Sequence, residues 1–160
     1  MSFGIAVARI IHVLGGVIWV GSMFFVSVFL IPAMTEAGPD AAKVSAALNR
    51  RNWMVVVPVI ALLTILSGLW LYWRASSGFN PAYMSSGPGK AYGTGAALAI
   101  TGFLIGIILT RPAMMKAEQL SRDGKMAEAQ AYRARGARWG KIIGFFLIGA
   151  ATMMALGRYV

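Results

Sequence analysis

The chain reads as an all-α protein: a four-transmembrane-helix bundle, with helices 3 and 4 extended into a cytoplasmic helical hairpin and both termini extracytoplasmic. Three observations predict this. Of 160 residues, 58% are hydrophobic and 12% charged, and the mean hydropathy is +0.69, outside the norm for a soluble domain of this length. Four apolar stretches approach or exceed the roughly 20 residues that a helix needs to cross a hydrocarbon core about 30 Å thick. The charges lie between those stretches, so the net charge of +10 points to anionic lipid as counter-charge. A nucleic-acid partner would need a basic face on a soluble domain. With no cysteine in the chain, a disulfide scaffold and a thiolate metal site are both excluded.

The first stretch runs from Phe3 to Met34. It has no basic n-region and is longer than a signal-peptide core, so it is expected to be a retained helix that Pro32 helps to end. Pro39 and Asp40 then start a short helix that passes Lys43 and Leu48 and reaches Arg51. The second span is Trp53 to Trp73, with Trp53 at one end and Trp70, Tyr72 and Trp73 at the other as interfacial anchors. A loop rich in Gly, Pro, Ser and Asn follows, from Arg74 to Lys90, and reads as irregular structure. The third span is Ala91 to Thr110 and the fourth Gly140 to Tyr159. Between them, Ala113 to Arg138 is rich in helix formers and broken by one strong turn signal, Asp123-Gly124, which predicts the helical hairpin. The whole chain, 1–160, is one integral membrane domain, without an evident internal repeat or long linker.

Orientation follows from the Lys and Arg residues, which favour the cytoplasmic side. The first and third loops hold eleven of the fifteen, and the opposite side holds Arg9, Arg74, Lys90 and Arg158. The termini and the 74–90 loop are therefore expected outside, in a membrane of bacterial inner-membrane type.

His12 is the only histidine and lies within the first span. On a helical wheel, Gly16, Trp19 and Met23 fall within about 40° of it and Arg9 within about 60°, so this stripe is expected to face the bundle interior. An ionisable side chain within a span is costly and suggests a ligand or catalytic site, whereas a neutral imidazole can simply make one interhelical hydrogen bond. Arg9 can snorkel to the headgroups, or join Lys90 in holding an anionic group beside His12. Ten methionines are many, and a His12 plus Met23 metal site is chemically allowed, although packing accounts for methionines of this spacing. All five carboxylates sit in loops, so nothing resembles a hydrolytic site. Gly136, Gly140 and Gly144, and Gly102 with Gly106, have the four-residue spacing that lets helices approach closely. The run Gly87-Pro88-Gly89-Lys90 lacks the spacing and the Ser or Thr of a phosphate loop.

The stretch from Ile11-His12-Val13-Leu14-Gly15-Gly16 through Trp19 to Phe25, then Arg50-Arg51 and Leu66-Ser67-Gly68-Leu69-Trp70-Leu71, is similar to the superfamily of HemJ-type protoporphyrinogen oxidases and CopD-like membrane proteins. The resemblance covers roughly residues 8–110. It implies haem b, with His12 as ligand or catalytic residue and Lys90 as its partner. The chain departs where HemJ-like proteins carry a further histidine near the end of helix one: here stand Ile31-Pro32-Ala33-Met34, so bis-histidine ligation within one protomer is impossible. Five-coordinate haem, His/Met ligation and a site shared across a homodimer stay open. The expected function is a haem- or porphyrin-related redox step, with Arg9 and Lys90 for propionates and Gly16, Trp19 and Met23 lining the pocket. The alternatives are a non-catalytic subunit of a larger membrane complex, and CopD-like copper binding or transfer.

Overall fold

The computed structural model describes residues 3–160, with Pro39 described by its backbone alone. Among the described residues six α-helices follow one another, α1 (Phe3–Glu36), α2 (Ala41–Arg50), α3 (Trp53–Ala75), α4 (Pro81–Met84), α5 (Gly87–Arg122) and α6 (Met126–Leu156), with a 3-10 turn at Gly38–Asp40 leading into α2. Of these, α1, α3, α5 and α6 are long and apolar enough to cross a membrane. α1 packs mainly on α3 and α5 on α6, and the two hairpins meet through α3 with α5 and α1 with α6. Chain neighbours are thus spatial neighbours around an up-down-up-down bundle. Its centre is Trp19, Ala61, Ala99, Ile143, Leu147 and Ala150, small residues around one large ring. The outer faces expose large apolar side chains, Val17 by 67% and Phe145 by 78%, which is compatible with lipid.

Pro32 does not end the first helix, which runs on to Glu36, and Pro112 likewise lies inside α5. A proline within a helix removes one amide donor and pushes its ring against the carbonyl four residues back. Each of these prolines follows a five-residue π-helical turn, Val26–Leu30 in α1 and Gly106–Thr110 in α5, whose wider ring of backbone relieves that conflict. The helices extend beyond the expected spans: α5 runs from Gly87 to Arg122 and α6 from Met126 to Leu156. Asp123 to Lys125 join them, with Gly124 at a φ of +75°.

The two hairpins share features that the sequence alone leaves unnoticed. The π turns start at Val26 and Gly106, 80 positions apart, and Ile31-Pro32-Ala33-Met34 is matched at the same offset by Arg111-Pro112-Ala113-Met114. Gly15 and Gly95 share this offset, and both lie at close approaches to the second helix of their hairpin. A Cβ on Gly15 would collide with the Thr64 hydroxyl, and one on Gly95 would lie 3.1 Å from the Ala150 carbonyl oxygen. His12 and Tyr92 correspond too, each laying its ring over a glycine of the partner helix, Gly68 and Gly157.

The loop expected to be irregular is instead an ordered turn. The Ser76 hydroxyl, buried, donates to the Trp73 carbonyl and accepts from the Phe79 amide, spanning Ser77, Gly78 and Phe79, all at positive φ. Asn80 caps α4 and Ser86 caps α5, whose first turn is Gly87-Pro88-Gly89-Lys90. Tyr72 donates to the Gly89 carbonyl at 2.9 Å, tying this turn to the end of α3.

The α1–α3 contact yields a stability prediction. Gly15→Ala should lower the thermal midpoint of the detergent-solubilised protein, at a cost of about 1–3 kcal/mol, because the added methyl meets the Thr64 hydroxyl oxygen. Gly15→Ala with Thr64→Ala should recover most of the loss, and an unrescued double variant would show that the contact is not where the strain lies.

Candidate functional site

His12 sits where α1 crosses α3, half-buried, with its ring against the backbone of Gly68: a Cβ there would lie 2.5 Å from Cε1 and 2.7 Å from Nδ1. Nδ1 is 2.8 Å from the Thr64 carbonyl oxygen. A carbonyl can only accept, so Nδ1 carries the proton and donates. Nε2 is then the basic nitrogen with an in-plane lone pair, the form that binds a metal or takes up a proton. Thr64 returns its own hydroxyl to the Ile60 carbonyl at 2.8 Å, and its carbonyl accepts from the Ser67 hydroxyl at 3.0 Å as well as from His12.

The stripe expected around His12 divides by height along the helix. Trp19 lies about 10 Å and Met23 about 16 Å farther along α1 at 1.5 Å per residue, so Met23 cannot share a metal ion with His12. Gly16 is one turn, about 6 Å, farther along α1 than His12, where a Cβ would lie 3.8 Å from the Thr64 methyl. Arg9 and Lys90 are both exposed at the end of the bundle that holds the termini, and no hydrogen bond joins Lys90 to the His12 ring. The Nε2 lone pair of His12 has the chemistry of a metal ligand, and Arg9 and Lys90 stand at the same end of the bundle. No group of three or more His, Cys, Asp or Glu that could hold a metal ion occurs among the described residues.

Trp19 and Met23 belong to something the sequence reading missed. They line a cavity of about 410 Å³ in the half of the bundle that ends at the basic loops. This volume is within the roughly 300–1,000 Å³ of small-molecule pockets. Trp19, only 4% exposed, meets Phe103 edge-on at 6.3 Å between ring centroids, linking α1 and α5 across the bundle. Gly102, Gly106 and Gly140 also line the cavity. A Cβ on each would still find ordinary contacts at 3.6–3.7 Å, so these glycines leave space rather than seal a tight helix contact. The tight approaches fall at Gly15, Gly68 and Gly95 instead, and at Gly136, where a Cβ would lie 2.7 Å from the Met114 sulfur. Gly144 faces nothing within 4 Å.

At the basic end, the lining turns polar with Asn49, Arg111, Glu118, Ser121, Arg122 and Arg133. Glu118 accepts from Arg122 at 2.6 Å and, with its other oxygen, from Asn49, which ties α2 to α5. Arg133 is half-buried and donates to the Ser121 hydroxyl at 3.3 Å.

The chain matches no known family model, no curated protein and no solved structure.

The geometry of His12 predicts a single tautomer. Nitrogen-15 NMR of the neutral protein should find His12 protonated at Nδ1 and bare at Nε2. Gly68→Ala should abolish that preference by pushing the ring off Thr64. An even tautomer mixture in the unaltered chain would refute the assignment.

Proposed function

We propose that this chain is a small integral membrane protein in which His12 serves a haem- or porphyrin-linked redox step. The observation that carries this reading is the Nδ1–H bond from His12 to the Thr64 carbonyl oxygen, at 2.8 Å. Histidines that ligate metals commonly donate their second ring nitrogen in this way, which fixes the ring and raises its basicity. In an all-helical core, where the costs of ordering an ionisable group are high, such a bond holds Nε2 ready. His12 would hold the group through Nε2, and Arg9 and Lys90 would bind its carboxylates at the outer surface. Haem, when bound, supplies one-electron chemistry at iron. Tyr92, the counterpart of His12, packs on its glycine in the same manner. Ring-on-glycine packing is thus common to both hairpins, and the Nδ1 bond is what sets His12 apart.

The test is an absorption spectrum of the protein in mild detergent, oxidised and dithionite-reduced, with metal analysis on the same sample. A Soret band lost in His12→Ala and kept in Arg158→Gln is the expected result. A colourless protein whose His12→Ala variant is equally stable would sink the reading.

The same proposal places both termini outside a bacterial inner membrane and the α5–α6 turn in the cytoplasm, on the distribution of Lys and Arg. Because the chain has no cysteine, single-cysteine variants report this directly. On intact spheroplasts, an impermeant maleimide should label Ser85→Cys and leave Gly124→Cys untouched until the cells are opened. The reverse pattern would invert the topology.

A further inference from the structure

The cavity below Trp19 has three features that together define a ligand. Its inner wall is apolar, formed by Trp19, Met23, Val57, Ala61, Phe103 and Ile143. Its rim is cationic: Arg111, Arg122 and Arg133 stand against the single carboxylate of Glu118. Arg122 is paired with Glu118, whereas half-buried Arg133 has only the neutral Ser121 hydroxyl as a hydrogen-bond partner among the described residues. A guanidinium offers five donors in a planar fork that matches a carboxylate or phosphate, so most of its capacity is unspent.

The third feature is a pair of buried hydroxyls without partners. Thr35, Thr64, Thr101 and Thr152 all return their hydroxyls to the carbonyl four residues back. Thr110, which lines the cavity, and Ser27, only 8% exposed, do not, and neither hydroxyl has a hydrogen-bond partner among the described residues. Both lie in the π-helical turns, Ser27 in Val26–Leu30 and Thr110 in Gly106–Thr110. Ser27 also faces the cavity wall at Gly140, where a Cβ would come within 3.7 Å of its oxygen. A buried hydroxyl without a partner costs free energy that a polar ligand atom or a bound water recovers.

We propose that this cavity binds a single-chain anionic amphiphile, its carboxylate or phosphate held by Arg133 and Arg111 and its chain laid against Trp19, Met23 and Phe103. The Thr110 hydroxyl donates to a polar atom near the head of the chain. The apolar wall excludes a purely hydrophilic anion, and the unpaired guanidinium on the rim disfavours a neutral lipid. This site is independent of His12, which lies about 10 Å beyond Trp19 along α1.

The test uses the full-length protein in nanodiscs of zwitterionic lipid, titrated with oleate, oleoyl lysophosphatidate, neutral monoolein or protoporphyrin. Oleate, lysophosphatidate or both should bind saturably, and which of them binds tells carboxylate from phosphate. Arg133→Gln should weaken that binding about tenfold or more, as expected for a lost charge-assisted hydrogen bond. Arg133→Lys should recover part of it, and Arg158→Gln, at the opposite end of the bundle, should leave it unchanged. His12→Ala should also bind normally. If Arg133→Gln fails to fold, Thr110→Val keeps the question open to measurement: it should weaken binding several-fold. Equal binding of monoolein, saturable binding of protoporphyrin alone, absence of saturable binding, or an Arg158→Gln loss as large as that of Arg133→Gln would each overturn the proposal.

Discussion

Within a hydrocarbon core, the backbone has no water to turn to, so every amide and carbonyl must find its partner in the chain. The rest of this bundle depends on how that constraint is met at two prolines. Pro32 and Pro112 each remove a donor from a long helix, and the π turns that precede them absorb the misfit. Widening the helix there has two effects. It keeps α1 and α5 continuous to Glu36 and Arg122, and it leaves the hydroxyls of Ser27 and Thr110 without the partners that ordinary helical hydroxyls find. The cavity lies where these two altered turns meet α6, whose Gly140 offers no side chain to fill the gap.

Much of the fold was legible in the sequence because long apolar runs and turn chemistry translate directly into helices and their breaks. The four apolar helices, the turn at Gly124 and the short helix after Pro39 follow from residue type. The failure at Pro32 has a physical source. A proline stops a helix when the freed carbonyl can turn to water, and that route closes where the neighbouring backbone must stay paired. Pro32 was therefore read as an end when it marks a π turn. The repeat of Pro-Ala-Met at 32–34 and 112–114 was the available signal, but the flanking residues differ so much that composition alone hid it. In the 74–90 loop, Asn80 and Ser86 are cap residues by type, and their positions ahead of Pro81 and Gly87-Pro88 carried a helix-start signal that the abundance of Gly and Ser masked.

The candidate site shows what a helical wheel omits. It supplied the direction of His12, Gly16, Trp19 and Met23 but ignored the rise of 1.5 Å per residue that sets Met23 about 16 Å from His12. Azimuth alone made one pocket of what the structure divides into two levels. The partner of the His12 ring was partly visible, since Gly68 stands in the Ser-Gly-Leu-Trp stretch singled out for its resemblance. That its missing side chain makes room for an imidazole required the register between α1 and α3, which no single-helix pattern contains. Arg133 was counted only as a loop charge, because its neighbours across the turn come from another helix.

The division into two levels turns on Trp19. Its ring is almost wholly buried and meets Phe103 edge-on, closing the space between α1 and α5 at the middle of the bundle. On one side of that closure the only histidine is held by α3 near the end with the termini; on the other lies a cavity with an arginine rim. An anion entering from the basic end meets Trp19 and Phe103 before it reaches His12, and the two close glycine contacts, Gly15 with Thr64 and Gly68 with the imidazole, bind α1 tightly to α3 along the same stretch.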